Sequence, residues 1–306
     1  MDRLDAMSIL TAVVEAGSFT AASRRLGMPL PTVSRKVAEL EAHLHARLLI
    51  RTTRKLTLTD AGEAYLAASR NILEQVAEAE RAVSGEYLTP RGDLAIAAPI
   101  VFGRLHVLPA VSAFLAAFPD IDVQLVLSDR NADMIGDQID MAVRIGSLHD
   151  SSMVVVRVGS VRQVVCASPD FLSMHGVPKT PGDLAALPCV TFGATAATSW
   201  SFAAKGRAAR SVPVRSRLVV NTAEAAIDAA SAGVGIVRVL SYQSVSAIRE
   251  RRLRIVLADV EPPPLPVHLI YPAQSHPPLK LRRFLEFAAP QLKKALAGID
   301  RFLSPR

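Results

Sequence analysis

Apolar residues recur at helical spacing through the first sixty positions, and the breaks between periodic stretches fall at glycine and proline. Gly17 can close one helix in a left-handed cap, and Ser18 can accept a hydrogen bond from the free N–H groups of the next. The pattern therefore predicts a second helix running to Leu26. Gly27 supplies another permissive cap. Pro31 suits the first position of a third helix, because the N–H it lacks would have had no partner there. Val33, Val37, Leu40 and Leu44 share one face of that helix, while Thr32, Arg35, Lys36 and Glu39 project from the opposite side. One face packs, and the other is free to touch something.

Beyond Leu48-Leu49-Ile50 the basic run Arg51-Thr52-Thr53-Arg54-Lys55 leads into alternating Leu56-Thr57-Leu58, which predicts a small hairpin with a basic tip. Thr59 or Asp60 can cap the helix that follows, and Glu63 can complete a capping box with Asp60. That helix is predicted to reach about Tyr87, since Gly62 is the one breaker before Gly85. Ala61, Tyr65, Ala68, Ile72, Val76, Ala79 and Val83 are spaced by threes and fours along it, a narrow seam suited to a partner helix.

Thr89-Pro90-Arg91-Gly92 marks a boundary. After it, strands at 94–98, 121–127 and 141–145 alternate with helices at 104–118 and 132–138. Strands at 153–158, 162–167, 234–239 and 266–271 and helices at 222–232, 241–250 and 280–297 continue the pattern. Alternation of this kind predicts a parallel sheet covered on both faces, and two such units suggest two lobes with a cleft between them. The proline-rich stretch 261–278 is a rigid connection into a strand rather than a ligand for proline-binding modules.

Composition sharpens this picture in three places. First, 306 residues, half of them apolar, suffice for two or more buried cores. Charges interleave with the apolar residues of MDRLDAMSIL, and no run approaches the ~18 uninterrupted apolar residues of a membrane span, so a cytoplasmic protein without a membrane partner is expected. Second, the net charge of +7 is unevenly spread. Residues 18–62 hold eight Lys/Arg against three Asp/Glu, whereas residues 60–89 hold two against six, so the basic surface is local, as a docking face for DNA requires. Lys280, Arg282, Arg283, Lys293 and Lys294 read as a solvated helix face. Third, Cys166 and Cys189 sit in apolar runs without metal-ligand spacing and read as buried thiols. There is no GxSxG elbow, HExxH, GxxxxGK[ST] or clustered metal-ligand pattern, so catalysis, a metal and a cofactor are not expected.

Residues 3–66 carry AGSFTAAS, VSRKVAELE, ARLLIRTTR and LTLTDAGEAYL in order, and the remainder carries GDLAIAAP, LPAVSAFLAAFPDIDVQL, DMAVRIG and ASAGVGI. With these motifs the chain resembles the LysR-type transcriptional regulators over essentially its whole length. The resemblance implies an α/β protein with an N-terminal winged helix-turn-helix (1–59), a linker or dimerisation helix (60–89) and a two-lobed, periplasmic-binding-protein-like effector domain (90–306). Lobe I is expected at about 90–161 and 268–306, and lobe II at about 162–267. It also implies a sequence-specific regulator of transcription that binds operator DNA as a homodimer or tetramer and responds to a small molecule bound between the lobes.

Carried over by position, the resemblance sets Leu30, Pro31, Thr32, Ser34, Arg35 and Lys36 at the DNA, with Arg51, Arg54 and Lys55 on the wing. Arg35 has the reach and paired donors to read guanine, and Ser34 suits a phosphate. Many relatives have glutamine where this chain has Leu30, so an adenine-reading amide is replaced by an apolar contact with a thymine methyl. Tyr65, Ala68, Ile72, Val76, Ala79 and Val83 form the dimerisation seam. Ligands of open α/β sheets sit at the carboxyl ends of strands. That rule selects Pro99, Ile100, Val101, Phe102, Ser128, Asp129, Arg144, Gly146, Thr191, Phe192, Gly193, Asn221, Thr222, Val237 and Arg238 for the effector. The Pro-Ile-Val-Phe loop, where relatives that bind small carboxylates often place a hydroxyl, points to an effector with an apolar or aromatic part, anchored by Thr191, Asn221 or Arg238.

Overall fold

The computed structural model describes residues 2–303 apart from 52–55, 85–88, 131–133, 135, 138, 149–152, 194–197, 205–206 and 274–276. At 51, 71, 78, 79, 81–84, 204 and 207–209 only the backbone is described. Two compact units divide essentially after Pro90.

In the first unit, α1 (Arg3–Glu15) is capped by Asp2, whose carboxylate accepts the N–H groups of Leu4 and Asp5. Gly17 follows in the left-handed region at φ +69°, and the Ser18 hydroxyl accepts the Ala21 N–H at 3.1 Å to cap α2 (Phe19–Leu26). The third helix, α3 (Leu30–Leu44), begins one residue before the expected proline. Pro29 is its N-cap without a side-chain hydrogen bond, and Pro31 lies in the first turn, where the missing N–H costs nothing. Val33, Val37 and Leu40 are fully buried against Ala6, Ile9, Leu10 and Val13 of α1 and Ala22 of α2.

Strands β1 (Leu49–Arg51) and β2 (Leu56–Leu58) pair antiparallel as the expected hairpin, with Leu49 opposite Leu58. Glu41 accepts the N–H groups of Leu48 and Leu49, at 2.8 and 3.1 Å, and so ties the end of α3 to the hairpin. Thr59 is the cap of α4 (Asp60–Ser84): its hydroxyl accepts the Gly62 N–H at 3.0 Å and donates to the Arg47 carbonyl at 2.7 Å. Asp60 and Glu63 therefore occupy the first turn of the helix instead of forming a box. Gly62, read from sequence as a breaker, is there because a Cβ would lie 2.0 Å from the Leu48 carbonyl oxygen. The expected helix end near Tyr87 lies outside the described residues.

The second unit opens with β3 (Gly92–Ala98), a helical run made of α5 (Ile100–Phe102), a π-turn at 103–107 and α6 (Leu108–Ala117), then β4 (Ile121–Leu127), β5 (Met141–Ile145) and β6 (Met153–Val161). The helical run starts four residues before its expected position. By length and composition it matches a bilayer span, with mean hydropathy 1.7 over 18 residues. Arg104 and His106 hid it from a search for uninterrupted apolar runs. Phe102, Val107, Ala110, Val111 and Phe114 nevertheless pack into the lobe's own core, which is the behaviour of a core helix. Of the expected helix at 132–138, the described residues Met134, Gly136 and Asp137 lie in turns.

Arg162 carries the chain to a second sheet. There follow β7 (Gln163–Ala167), α7 (Pro169–His175), a 3-10 turn at 181–186, β8 (Pro188–Phe192), the hairpin β9 (Ser199–Ala204) and β10 (Arg207–Pro213), β11 (Arg215–Val220), α8 (Ala223–Ser231), β12 (Ile236–Leu240), α9 (Ser241–Arg249) and β13 (Arg254–Val256). The chain returns to the first sheet as β14 (Leu265–Pro272) and ends in α10 (Leu279–Leu303).

Strand order is β4-β3-β5-β14-β6 in the first sheet and β11-β8-β12-β7-β13 in the second. Neither sheet is purely parallel, contrary to the sequence expectation. β14 runs antiparallel to β5 and β6, and β7 runs antiparallel to β12 and β13. The reason is the double crossover: a strand that enters a lobe from its neighbour must run against strands whose carboxyl ends point back at that neighbour. The crossover also corrects the lobe boundary, because Leu265–Val267 belong to β14 in the first sheet. Lys280, read as part of a solvated face, is buried and donates to the Asp93 carbonyl, fastening α10 to β3.

Candidate functional site

Burial of Val33, Val37 and Leu40 turns the other face of α3 outward. Leu30, Pro31 and Arg35 are exposed there, and Thr32, Ser34 and Lys36 are half-buried. The Arg35 guanidinium lies 3.6 Å from the Glu39 carboxylate one turn on, with both side chains well exposed. An exposed pair of this kind is weak, so the guanidinium is available to a base edge. Lys36 is different. Its ammonium is 2.6 Å from the Asp5 carboxylate of α1, and this hydrogen bond raises its pKa above the ordinary lysine value against the opposing effect of desolvation. On the wing, Arg54 and Lys55 and the side chain of Arg51 lie outside the described residues.

The helix α4 has two apolar faces, of which the sequence revealed one. Leu66 and Ser69 are buried, α4 packs on α1, and Arg70 reaches Glu15 of α1 at 3.6 Å. On the predicted seam Ile72 is 39% exposed, Ala68 is exposed and Val76 is half-buried. Tyr65, also assigned to the seam, packs against the core of its own chain. The side chains of Ala79 and Val83 are outside the described residues.

In the second unit, the structure sorts the fifteen strand-end residues into two groups. Pro99 and Ile100 are partly exposed beside Ser128 and Asp129, with the Ile100 N–H donated to Asp129 Oδ1 at 3.1 Å and the Ser128 N–H to the Ala98 carbonyl. Gly146 donates its N–H to the Pro266 carbonyl at 2.9 Å, and Arg144 is half-buried, its pKa lowered by burial. Phe192 touches the cores of both lobes, Gly193 donates to the Val220 carbonyl, and Asn221 is exposed. The remaining residues face elsewhere. Val101 and Phe102 are buried in the core of lobe I, and Val237 is fully buried in lobe II. The Thr191 hydroxyl is held 2.7 Å from that of Ser216, and the Thr222 hydroxyl accepts the Ala225 N–H as the cap of α8. Arg238 donates to the Ser201 carbonyl at 3.2 Å and lies 5.4 Å from the centre of the Trp200 ring, its pKa lowered by burial. The Thr191 hydroxyl and one guanidinium nitrogen of Arg238 are thus engaged within lobe II.

Sequence reasoning missed an aromatic cluster where the lobes meet. The Phe102 and His106 rings lie 5.0 Å apart, and Tyr242 of α9 meets both edge-on, at 5.3 and 5.7 Å. His106 Nε2 is buried without a hydrogen-bond partner among the described residues, and burial holds the imidazole below its ordinary pKa. Burial likewise pushes the Tyr242 phenol up, with Asp129 adding to the effect, while its oxygen accepts from Gln243 at 3.4 Å. Arg104 reaches across to Glu224 of α8 at 3.6 Å. Phe102 was selected from its place after β3, but Arg104 and His106 lie a turn further along the helical run, and Tyr242 and Glu224 stand at the second positions of α9 and α8, just past the residues taken as strand ends. No group of His, Cys, Asp and Glu suited to a metal occurs among the described residues.

Comparison with known proteins agrees with this geometry. A family model described as a bacterial regulatory helix-turn-helix protein of the lysR family matches residues 4–63, and one described as a LysR substrate binding domain matches residues 89–293. The HTH-type transcriptional activator AaeR of Escherichia coli is 32% identical over 283 residues, covering 92% of this chain and 91% of AaeR. An HTH-type transcriptional repressor of Pseudomonas aeruginosa is 34% identical over 298 residues, covering 94% and 91%. Among solved structures, the full-length Vibrio cholerae virulence activator AphB superposes with a TM-score of 0.60 at 28% identity, over 94% of this chain and 98% of that one.

Proposed function

The chain belongs to the LysR-type family of transcriptional regulators, and on that premise we propose that it reads an operator with Arg35 and Leu30 under the control of a small, partly apolar effector. Its helix-turn-helix binds DNA and its substrate-binding domain takes an effector. The carrying observation for the DNA side is the outward face of α3, with an exposed arginine held only by a weak pair to Glu39. Leu30 and Arg35 meet base edges, and Thr32 and Ser34 meet the backbone. Lys36 acts chiefly by fixing α3 against α1. Arg51, Arg54 and Lys55 follow the backbone or minor groove from the wing.

The protein works as a homodimer, paired through Ile72, Val76 and their neighbours on α4, and as a tetramer of two such dimers. It acts in the cytoplasm and performs no catalysis. The effector enters between the lobes against Pro99, Ile100 and Phe192, with Asn221 and Asp129 as polar contacts. A competition titration tests the reading: labelled operator should resist a large excess of unrelated duplex. Equal displacement by any duplex would leave a non-specific DNA binder.

A further inference from the structure

The packing of α10 assigns most of that helix to lobe I, where Phe284, Ala288, Leu292 and Leu296 enter the core. Its last turn behaves differently. Phe302 and Leu303 line an apolar groove with Pro169, Ile248, Leu253 and Ile255, all of lobe II, and the Arg249 guanidinium lies 5.1 Å from the centre of the Phe302 ring.

The same turn grips the crossover. Arg162 is the one residue between β6 and β7, and its guanidinium spans three segments. It reaches Glu261 of the returning crossover at 3.3 Å, donates to the Leu303 carbonyl at 3.0 Å, and lies 3.8 Å from Asp300. A cation at a helix carboxyl end also meets the favourable end of the dipole. The Arg162 backbone is tied to α9 as well, donating to the Ser241 hydroxyl at 3.1 Å and accepting the Ser241 N–H at 2.8 Å.

Rotation of one lobe against the other has to be absorbed at the two crossovers, because hinge motion is confined to a few connecting residues. Both crossovers converge on a single guanidinium held by α10. The junction is incompletely satisfied, since Arg162 Nε and Glu261 Oε1 are buried without hydrogen-bond partners among the described residues. A partly satisfied buried network is costly, which favours a second arrangement over a permanent staple.

We propose that the last turn of α10, Asp300–Leu303, is a latch that holds the two crossovers and lobe II in register with lobe I, and that changes in lobe angle require its release. The functional meaning rests on the reading that the cleft takes the effector. The test does not, because it uses the full-length protein without effector or DNA.

Amide hydrogen exchange is measured on the wild type, Phe302→Ala and Arg249→Gln. Phe302 is 44% exposed, so its truncation leaves no large cavity. Release of the latch should speed exchange at residues 162–163 and 241–243 by about tenfold or more, with protection in β3 and β4 unchanged, because local openings report local stability. Arg249→Gln removes only the contact with the ring, and should give the same regional pattern at smaller size; it decides the matter should Phe302→Ala fail to fold. Faster exchange confined to 248–255 and 299–303, with residues 162–163 and 241–243 unmoved, overturns the latch and leaves α10 as plain packing.

Discussion

Lys36 Nζ stands 2.6 Å from Asp5 Oδ2, so a basic residue of the helix proposed to read DNA is already engaged by the first helix of its own chain. Its charge is partly neutralised before any phosphate arrives. Lys36→Gln should therefore reduce the salt dependence of DNA binding by much less than the ~0.9 unit expected for one lost phosphate contact. Binding measured across a salt series checks this, and a full-unit change would make Lys36 a direct phosphate ligand.

Arg35→Ala should weaken operator binding by about 1–3 kcal/mol and relax base preference at one position of each half-site. Titrations against operators altered one base pair at a time would show it. A uniform loss on every sequence would move Arg35 from base reading to backbone contact.

The two faces of α4 should respond oppositely to truncation. Leu66 is buried within the chain, and Leu66→Ala should cost about 2–5 kcal/mol of unfolding free energy. Ile72→Asp, on the exposed seam, should lower the molar mass read by light scattering or make the chain insoluble, because a carboxylate in a closed apolar interface is desolvated without a partner. An unchanged mass for an Ile72→Asp, Val76→Asp double variant would remove this seam from the dimer.

That contrast shows how far the sequence reaches. Glycine and serine at 17 and 18 and the period of Val33, Val37 and Leu40 determine helix positions almost to the residue, because capping and helical spacing are local. Leu66 and Ser69 escaped, since a helix with apolar or small residues on two faces shows only its longer stripe to a periodicity search. The hairpin β9–β10 and strand β11 also escaped, although Ser199, Trp200, Ser201 and Phe202 alternate exposed and buried and β11 alternates exposed and half-buried positions; each alternation is short, and in β11 the polar Ser216 occupies an inward position. At the strand ends the sequence located the residues and was silent about their direction. Val101, Phe102 and Val237 occupy the expected places but turn into the cores, and Arg162 drew no notice because its partners are 79 to 141 residues distant.

Aromatic and branched-chain metabolites should outscore sugars and small dicarboxylates in a thermal-shift screen, because the side chains proposed to meet the effector, Pro99, Ile100 and Phe192, are apolar. A ligand at one hundred times its dissociation constant stabilises the folded state by ~2.7 kcal/mol, which such a screen detects. Ile100→Asp should abolish the shift and spare basal DNA affinity. A screen that returns only highly polar ligands would end the apolar-effector reading.

Acid should destabilise the effector domain through His106. Burial depresses its pKa, so the unfolded chain takes up a proton that the folded state resists. The resulting stability is present above the ordinary histidine value of 6.5 and is lost as pH falls from there through the depressed folded value. The thermal midpoint should decline between about pH 7 and pH 5, the range in which histidines titrate, and His106→Phe should decline less steeply. His268, also depressed by burial and by Arg157, leaves part of the slope in place. Parallel curves for the two proteins would exclude His106 as a source of acid sensitivity.

The double crossover has a consequence for biosynthesis. Lobe I is made from two separated stretches, and β14, which sits between β5 and β6, is translated about a hundred residues after them. Lobe II is continuous from β7 to β13 and can close its core while the chain is still being extended. On a ribosome adding ~5–20 residues per second, the apolar residues of β3, β5 and β6 must wait roughly 5–40 s for β14 and α10. During that interval Leu94, Ile96, Met141 and Val143 belong to an incomplete sheet, so the nascent chain presents an open apolar sheet edge until β14 and α10 leave the exit tunnel.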